Sequence, residues 1–370
     1  MKIGVVASPW IPVPPPAYGG TETVVDNLCR GLSDLGHSVH LATVGDSTCP
    51  VDRSWYFEHG PAPVGDAMAE AVHIRAAYQA LEDVDVDVVH DHTMLGAQFL
   101  SGQLSPTVPI VTTNHGPFTE TARAMYATRP PRVALVAISH AQRAFAPEVS
   151  VDAVIHHGID TEFYRPGTGS GDYAIFIGRM SKDKGPDRAI EIARRAGLRL
   201  VLVAKMRETA EIGYFEQVVK PLLGPDVEMA GEAPAPVRAE LLREARALIN
   251  PIRWPEPFGL VMAESLASGT PVVALSNGAA PEIVDHGSTG FLCRDEDEMV
   301  EALGRLGELD RADCRSAAEQ RFSRARMAAD HVALYRRLLE TPSLDSPNLS
   351  TPVLGVAVRE SSTLRAASRR

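Results

Sequence analysis

The chain of 370 residues is 45% hydrophobic and 22% charged, with a formal net charge of −11; it is long enough for two cores of ordinary composition and too acidic for a surface that follows nucleic acid by bulk electrostatics, so no nucleic-acid partner is expected. Its four cysteines, Cys29, Cys49, Cys293 and Cys314, form no C-x-x-C pair, which excludes a zinc ribbon and offers no disulfide framework. The opening MKIGVVASPW is too short an apolar run for a secretory segment, and no stretch approaches the roughly 18 apolar residues of a membrane span, so the chain reads as a cytoplasmic protein with no transmembrane segment, peripheral contact with a membrane staying open.

Short β-branched runs alternate with helical patterns from the first residues. IGVVA (3–7) predicts a strand, followed by a proline-rich loop and a helix from Thr21 to Leu35. The helix signals are Gly19-Gly20 as a turn, Thr21 as N-cap, a stripe of Val24, Val25, Leu28, Leu32 and Leu35, and Gly36 as the stop. Strands follow at SVHLATV (38–44), VDVVH (86–90), PIVTT (109–113), VALVAI (133–138) and DAVIHH (152–157), with a helix near 66–82. The turn-rich DTEFYRPGTGSGDY (160–173) marks a boundary, placed between residues 165 and 166.

The pattern then restarts with YAIFIG (173–178), a helix over 186–196, LRLVLVA (198–204), helices near 211–223 and 235–245, ALINPI (247–252), a helix after Pro257, and PVVAL (271–275). Units 1–165 and 166–323 are therefore both expected to be Rossmann-like, doubly wound α/β units facing a central cleft. RARMAADHVALYRRLLE (324–340) predicts a last helix packing back toward the first unit, and the Ser-, Thr- and Pro-rich segment 341–370 is read as a disordered tail.

The chemistry concentrates in RWPEPFGLVMAES (253–265), where Glu256 and Glu264 stand eight positions apart. Pro257 suits a first helical turn and Gly259 a close backbone approach, so a helix running to about Ser268 would aim the N–H groups of Phe258, Gly259 and Leu260 at the cleft as an anion site. Glu264 is the only charged residue between Gly259 and Gly269, and a carboxylate on so apolar a helix needs a polar partner, whether a ligand or a core arginine. In FIGRMSKDKG (176–185), Arg179 and Lys184 follow a strand, where two cations could hold a diphosphate or act as ordinary loop charges balanced by Asp183 and Asp187.

His115 in TTNHGPF closes another strand, beside Gly116 and Pro117, a position that favours function over packing. His90 and His92 flank Asp91 with H-x-H spacing but without a further ligand set, so they are read as cleft wall rather than a metal site. His156-His157 is read as part of the linker between units.

Taken jointly, IFIGRMSKDKGPDRAI, INPIRWPEPFGLVMAESLASGTPVVA and NGAAPEIVDHGSTGFL resemble the family 4 retaining glycosyltransferases of GT-B fold, whose mark is an acid, seven residues and a second acid. The resemblance extends through PPPAYGGTE, VVHDHT, TTNHGPF, AISHAQR and HHGIDTEFYRP, and PPPAYGGTE with VLVAK is most similar to the avilamycin-type branch. It implies transfer of a sugar, with retention of configuration and without metal or other cofactor, from a nucleotide diphosphate sugar such as a UDP- or GDP-sugar to an acceptor hydroxyl. The first unit would take the acceptor and the second the donor.

By the same resemblance Glu264 would accept hydrogen bonds from the ribose, Glu256 would contact the donor sugar, and Arg179 and Lys184 would neutralise the diphosphate beside the amides of Phe258, Gly259 and Leu260. His115 would lie close to the sugar, and Gly19 or Gly20 would let the opposite backbone approach. Many relatives have a glycine-rich turn where this chain has Ala204-Lys205-Met206, so Lys205 would add a third cation. A GT-B sugar-nucleotide epimerase or a non-catalytic nucleotide-sugar binder would share these motifs; dependence of product on an added acceptor separates them. The absent GxGxxG and GxxxxGK[ST] signatures speak against an NAD-dependent or P-loop enzyme.

Overall fold

Runs of β-branched residues linked by crossover helices can hydrogen-bond side by side only as parallel strands, and in the computed structural model, which describes residues 1–340, they form two such sheets. The tail expected over 341–370 lies outside the described residues. The first sheet contains β1 (Lys2–Val6), β2 (Ser38–Thr43), β3 (Asp52–Trp55), β4 (Val88–Asp91), β5 (Ile110–Asn114), β6 (Val133–Ala137) and β7 (Ala153–Val154), in the order β3-β2-β1-β4-β5-β6-β7. The second contains β8 (Tyr173–Arg179), β9 (Arg199–Lys205), β10 (Val227–Gly231), β11 (Leu248–Asn250), β12 (Val272–Leu275) and β13 (Gly290–Cys293), ordered β10-β9-β8-β11-β12-β13.

Helices α1 (Gly20–Asp34), α2 (Ala67–Val84), α3 (Gly96–Leu100), α4 (Glu120–Ala127) and α5 (His140–Ala144) belong to the first half. The second carries α6 (Pro186–Arg195), α7 (Thr209–Tyr214), α8 (Ala235–Glu244), α9 (Leu260–Ala267), α10 (Ala280–Ile283), α11 (Glu296–Gly304) and α12 (Arg311–Phe322), and α13 (Arg324–Glu340) follows directly.

Several elements differ from the sequence reading for local reasons. α1 begins at Gly20 with Gly19, not Thr21, as its extended N-cap. The helix expected over 211–223 breaks up: after α7 the chain makes a wider turn over Phe215–Val219 and a tight one over Lys220–Leu222, which contains Pro221. The helix expected from Pro257 starts at Leu260, because Gly259 adopts φ 95° and caps it; a left-handed residue cannot continue a right-handed turn. DAVIHH contributes only the two residues of β7.

The last helix belongs spatially to the first unit. Met327, Ala328, Val332, Leu334 and Tyr335 are buried in one cluster with Ile3, Val5, Val25, Leu28 and Leu32. Gly31 makes the approach feasible, since a Cβ there would lie 2.8 Å from the Ala328 Cβ and 2.9 Å from the Arg324 carbonyl oxygen. The linker passes the start of α13 through a bridge between Ile159 and Ser323.

Candidate active site

Strand order reverses once in each sheet, between β1 and β4 and between β8 and β11, and in doubly wound sheets the crevice at that reversal is where ligands bind. A cleft lies there, lined by Tyr18, Gly19, Gly20, Thr21 and His115 from one side and by Gly178, Lys184, Arg238, Asn250, Glu256 and Glu264 from the other. The starts of α1 and α9 face each other across it: a Cβ on Gly20 would stand 3.7 Å from the Leu260 Cδ1, and one on Gly19 would meet Pro15 at 2.7 Å.

Within α9 the Met262 amide bonds the Gly259 carbonyl at 3.0 Å. Among the described residues this leaves the amides of Leu260 and Val261, both residues of the cleft lining, as the unbonded donors of the helix start. Just before it, Lys184 Nζ donates to Glu256 Oε2 at 2.5 Å, both side chains mostly buried, with the ammonium 5.5 Å from the centre of the Trp254 ring. The loop after β12 fixes Glu256 from behind. Gly278 adopts φ 54° and has no room for a Cβ, which would fall 2.4 Å from the Glu256 nitrogen, and the Ala279 amide donates to the Glu256 carbonyl at 3.0 Å.

Glu264 is buried on α9, and burial raises its pKa; the charge of Arg238 and a hydrogen bond from Tyr164 oppose that rise. Arg238 lines the cleft and Tyr164 is buried. The carboxylate therefore has both an arginine partner and a face on the cleft. Sequence reasoning missed Arg238 and Tyr164, which lie on α8 and the linker and share no motif with Glu264.

Arg179 and Lys205 end adjacent strands, β8 and β9, but neither lines the cleft. Arg179 donates to Asp183 at 2.9 Å, while its charge still reaches the Tyr18 phenol, lowering a pKa that burial raises. Lys205 Nζ lies 2.6 Å from Glu208 and 3.2 Å from Glu211, in the network that caps α7. Two carboxylates thus already neutralise it.

His115 is one of five neighbouring histidines. Its Nε2 lies 2.8 Å from His92 Nδ1, and its ring stacks on His157 with centroids 5.2 Å apart. The His90 ring lies tilted against His92, centroids 4.1 Å apart, and against His331 of α13 at 5.0 Å, with its own nitrogens 2.6 Å from the Tyr335 hydroxyl and 2.7 Å from Thr113 Oγ1. Burial lowers the pKa of all five, to about 4 for His115 and for His331, so they are neutral near pH 7. Among the described residues no group of three or more His, Cys, Asp or Glu is placed to hold a metal ion. His157 is part of the cleft lining as well as of the linker.

Two family models match this arrangement in order, Glycosyltransferase Family 4 over residues 18–163 and Glycosyl transferases group 1 over residues 171–308. The solved structure of AviGT4, a glycosyltransferase involved in avilamycin A biosynthesis, is 30% identical, with 91% of this chain and 98% of that chain covered and a TM-score of 0.72. The chain belongs to the family 4 glycosyltransferases. The two parallel-sheet units of this glycosyltransferase are those of the GT-B fold, and the avilamycin-type resemblance of its motifs holds.

Among curated relatives, D-inositol 3-phosphate glycosyltransferase of Mycobacterium avium (strain 104) is 30% identical over 220 residues, 54% of this chain and 48% of that protein. The chain spans about half the length of the first curated relatives it matches. Alpha-maltose-1-phosphate synthase of Mycobacterium tuberculosis is 27% identical over 394 residues, covering 88% of this chain and 97% of that protein. Anabaena HepE, solved in complex with UDP and glucose, shares the fold at 18% identity with a TM-score of 0.70, over 91% of this chain and 99% of that chain. Among the described residues no helix is long and apolar enough to cross a membrane.

Proposed function

We propose that this glycosyltransferase moves a sugar from a nucleotide diphosphate sugar to an acceptor hydroxyl with retention of configuration and without a metal. The observation that carries the reading is the Lys184–Glu256 pair at the start of α9, opposite the glycine turn that opens α1. A cation and unbonded amides gathered at a helix N-terminus suit a diphosphate, and a carboxylate beside them suits sugar hydroxyls. In this reading the diphosphate takes over Lys184, which releases Glu256 to the sugar. Glu264, one helical turn further along, receives the ribose. Arg179 and Lys205 reach the diphosphate only by exchanging their present carboxylates for it.

The step breaks the bond between the anomeric carbon and the diphosphate oxygen and forms one to the acceptor oxygen on the same face. The acceptor proton passes to the departing phosphate. Positive charge develops on the ring while negative charge grows on the leaving group, so fixed donors around that group lower the barrier. UDP- and GDP-sugars are the donors proposed, and solved relatives that hold UDP and UDP-glucose support the choice of class.

The test is a panel of UDP-, GDP- and dTDP-sugars scored by the rise in Tm, which grows with ligand concentration over Kd, followed by anomer-resolved NMR of the product with a supplied acceptor alcohol. Protection by one donor and a product of the donor's own anomeric configuration, formed in the presence of EDTA, is expected. A product of inverted configuration, or turnover abolished by EDTA and restored by a divalent ion, would count against the proposal.

A further inference from the structure

The histidine cluster carries a role beyond lining the cleft. His92 Nδ1 and His115 Nε2 are 2.8 Å apart, and since both rings are neutral, one nitrogen donates and the other accepts. Two arrangements are open. If His115 donates, His92 carries its one N–H on Nε2, a buried atom without a partner among the described residues, on a side chain outside the cleft lining. If His92 donates, His92 Nε2 is only a bare lone pair, and the remaining N–H stands on His115 Nδ1, likewise buried and without a partner among the described residues, but on the residue that lines the cleft.

An orphaned buried N–H is rarer and costlier than an orphaned lone pair. Both arrangements leave one buried N–H unmatched; the second puts it on the residue that lines the cleft, the side from which a substrate can supply the missing acceptor. His157, stacked on the His115 ring with the planes 21° apart and itself packed against Phe258, holds the ring against a flip that would break the 2.8 Å contact. On the far side, His90 lies over His92 and is pinned by Tyr335 and Thr113.

We infer that His92 is a positioning residue that holds His115 in the Nδ1–H tautomer, so that His115 offers a hydrogen-bond donor to an oxygen of the bound substrate. The inference rests on the proposed transfer reaction for the identity of that substrate, but the tautomer itself does not depend on it.

The decisive experiment is a long-range 1H–15N correlation spectrum of the full chain labelled at its histidines, with His115 assigned by its loss in His115→Gln. The Nδ1–H pattern is expected in the wild type and in His92→Asn, whose side-chain amide can donate from the Nδ1 position, and a shift toward Nε2–H in His92→Leu. Should His92→Leu not fold, His92→Gln replaces it, because its amide reaches the Nε2 rather than the Nδ1 position. Turnover is expected to fall by roughly 10-fold or more in the variant that loses the donor, with KM for the donor sugar nearly unchanged and with partial recovery in His92→Asn. A wild-type His115 in the Nε2–H form, or a tautomer indifferent to His92→Leu and His92→Gln, overturns the inference. Failure of every donor to turn over, with the tautomer as expected, would instead strike the proposed reaction.

Discussion

At the scale of single residues, the two acids that stand eight apart in sequence occupy different electrostatic settings. Glu256 is held by Lys184 at 2.5 Å, whereas Glu264 is buried against Tyr164 and Arg238. Lys184→Ala should therefore lower turnover by on the order of 10²–10³, the loss typical of a donor that meets charge developing in the transition state; steady-state rates at saturating donor check this, and a wild-type rate would remove Lys184 from the leaving-group site. Glu264→Ala should weaken the free nucleoside diphosphate by roughly 10–100-fold, the equivalent of about 1.5–3 kcal/mol for hydrogen bonds to a charged group, measurable by calorimetry. Unchanged affinity would place the ribose elsewhere. The positions of Glu256, Lys184 and His115 on the cleft were legible because each sits near a strand end or helix start marked by glycine or proline, and that of Glu264 because it is the lone charge on the apolar helix that follows. Arg238 and Tyr164 were not, since they reach Glu264 through tertiary packing alone, and the pairing of Lys205 with Glu208 and Glu211 follows from a helix cap that the sequence reading began two residues late.

At the scale of elements, the start of α9 depends on one backbone angle. Gly259 holds φ 95°, and a Cβ there would approach the Met262 methyl to 2.6 Å. Gly259→Ala is expected to cost about 1–2 kcal/mol, the penalty of left-handed backbone in an L-residue, visible as a lower urea midpoint, and to weaken nucleotide binding because the donors of Leu260 and Val261 move with the cap. A variant of wild-type midpoint would mean that the loop relaxes without strain. The central strands and the long helices α1, α2, α6, α8 and α13 could be read from alternation and apolar stripes, whereas α4, α11 and α12 were not read. The three strands that escaped, β3, β10 and β13, are all sheet edges, each bonded to a single neighbour. An edge strand with one partner and one partly wet face needs no continuous β-branched run, so DRSW and VEMAG leave little pattern to detect.

At the scale of the whole molecule, acid should act through the buried histidines. His90, His92, His115, His157 and His331 all have pKa values lowered by burial. A histidine kept neutral in the fold binds its proton only on unfolding, so its contribution is complete above the ordinary value near 6.5 and is lost as the pH falls toward about 4. Asp91 acts in the opposite sense, since burial pushes it up to about 6 and it gains stability as the pH falls from there toward 3.8. Glu22, Glu70 and Glu264, also raised by burial, act with Asp91, but His37, His40 and His73 are lowered by burial like the five and the histidines outnumber the acids, so Tm should drop between pH 7 and pH 5. A Tm constant over that range would show that the histidines are hydrated rather than buried. The final helix has a consequence of another kind. Its side chains Met327, Ala328, Val332, Leu334 and Tyr335 complete the core around β1 and α1, and each such burial is worth roughly 1.5–3 kcal/mol for the larger residues. Synthesis delivers β1 first and α13 last among the described elements. At roughly 5–20 residues per second, the opening unit waits on the ribosome for about 10–35 s before its own closing helix exists. During translation it is the second unit, made later but with no residue of α13 in its core clusters, that can finish folding first.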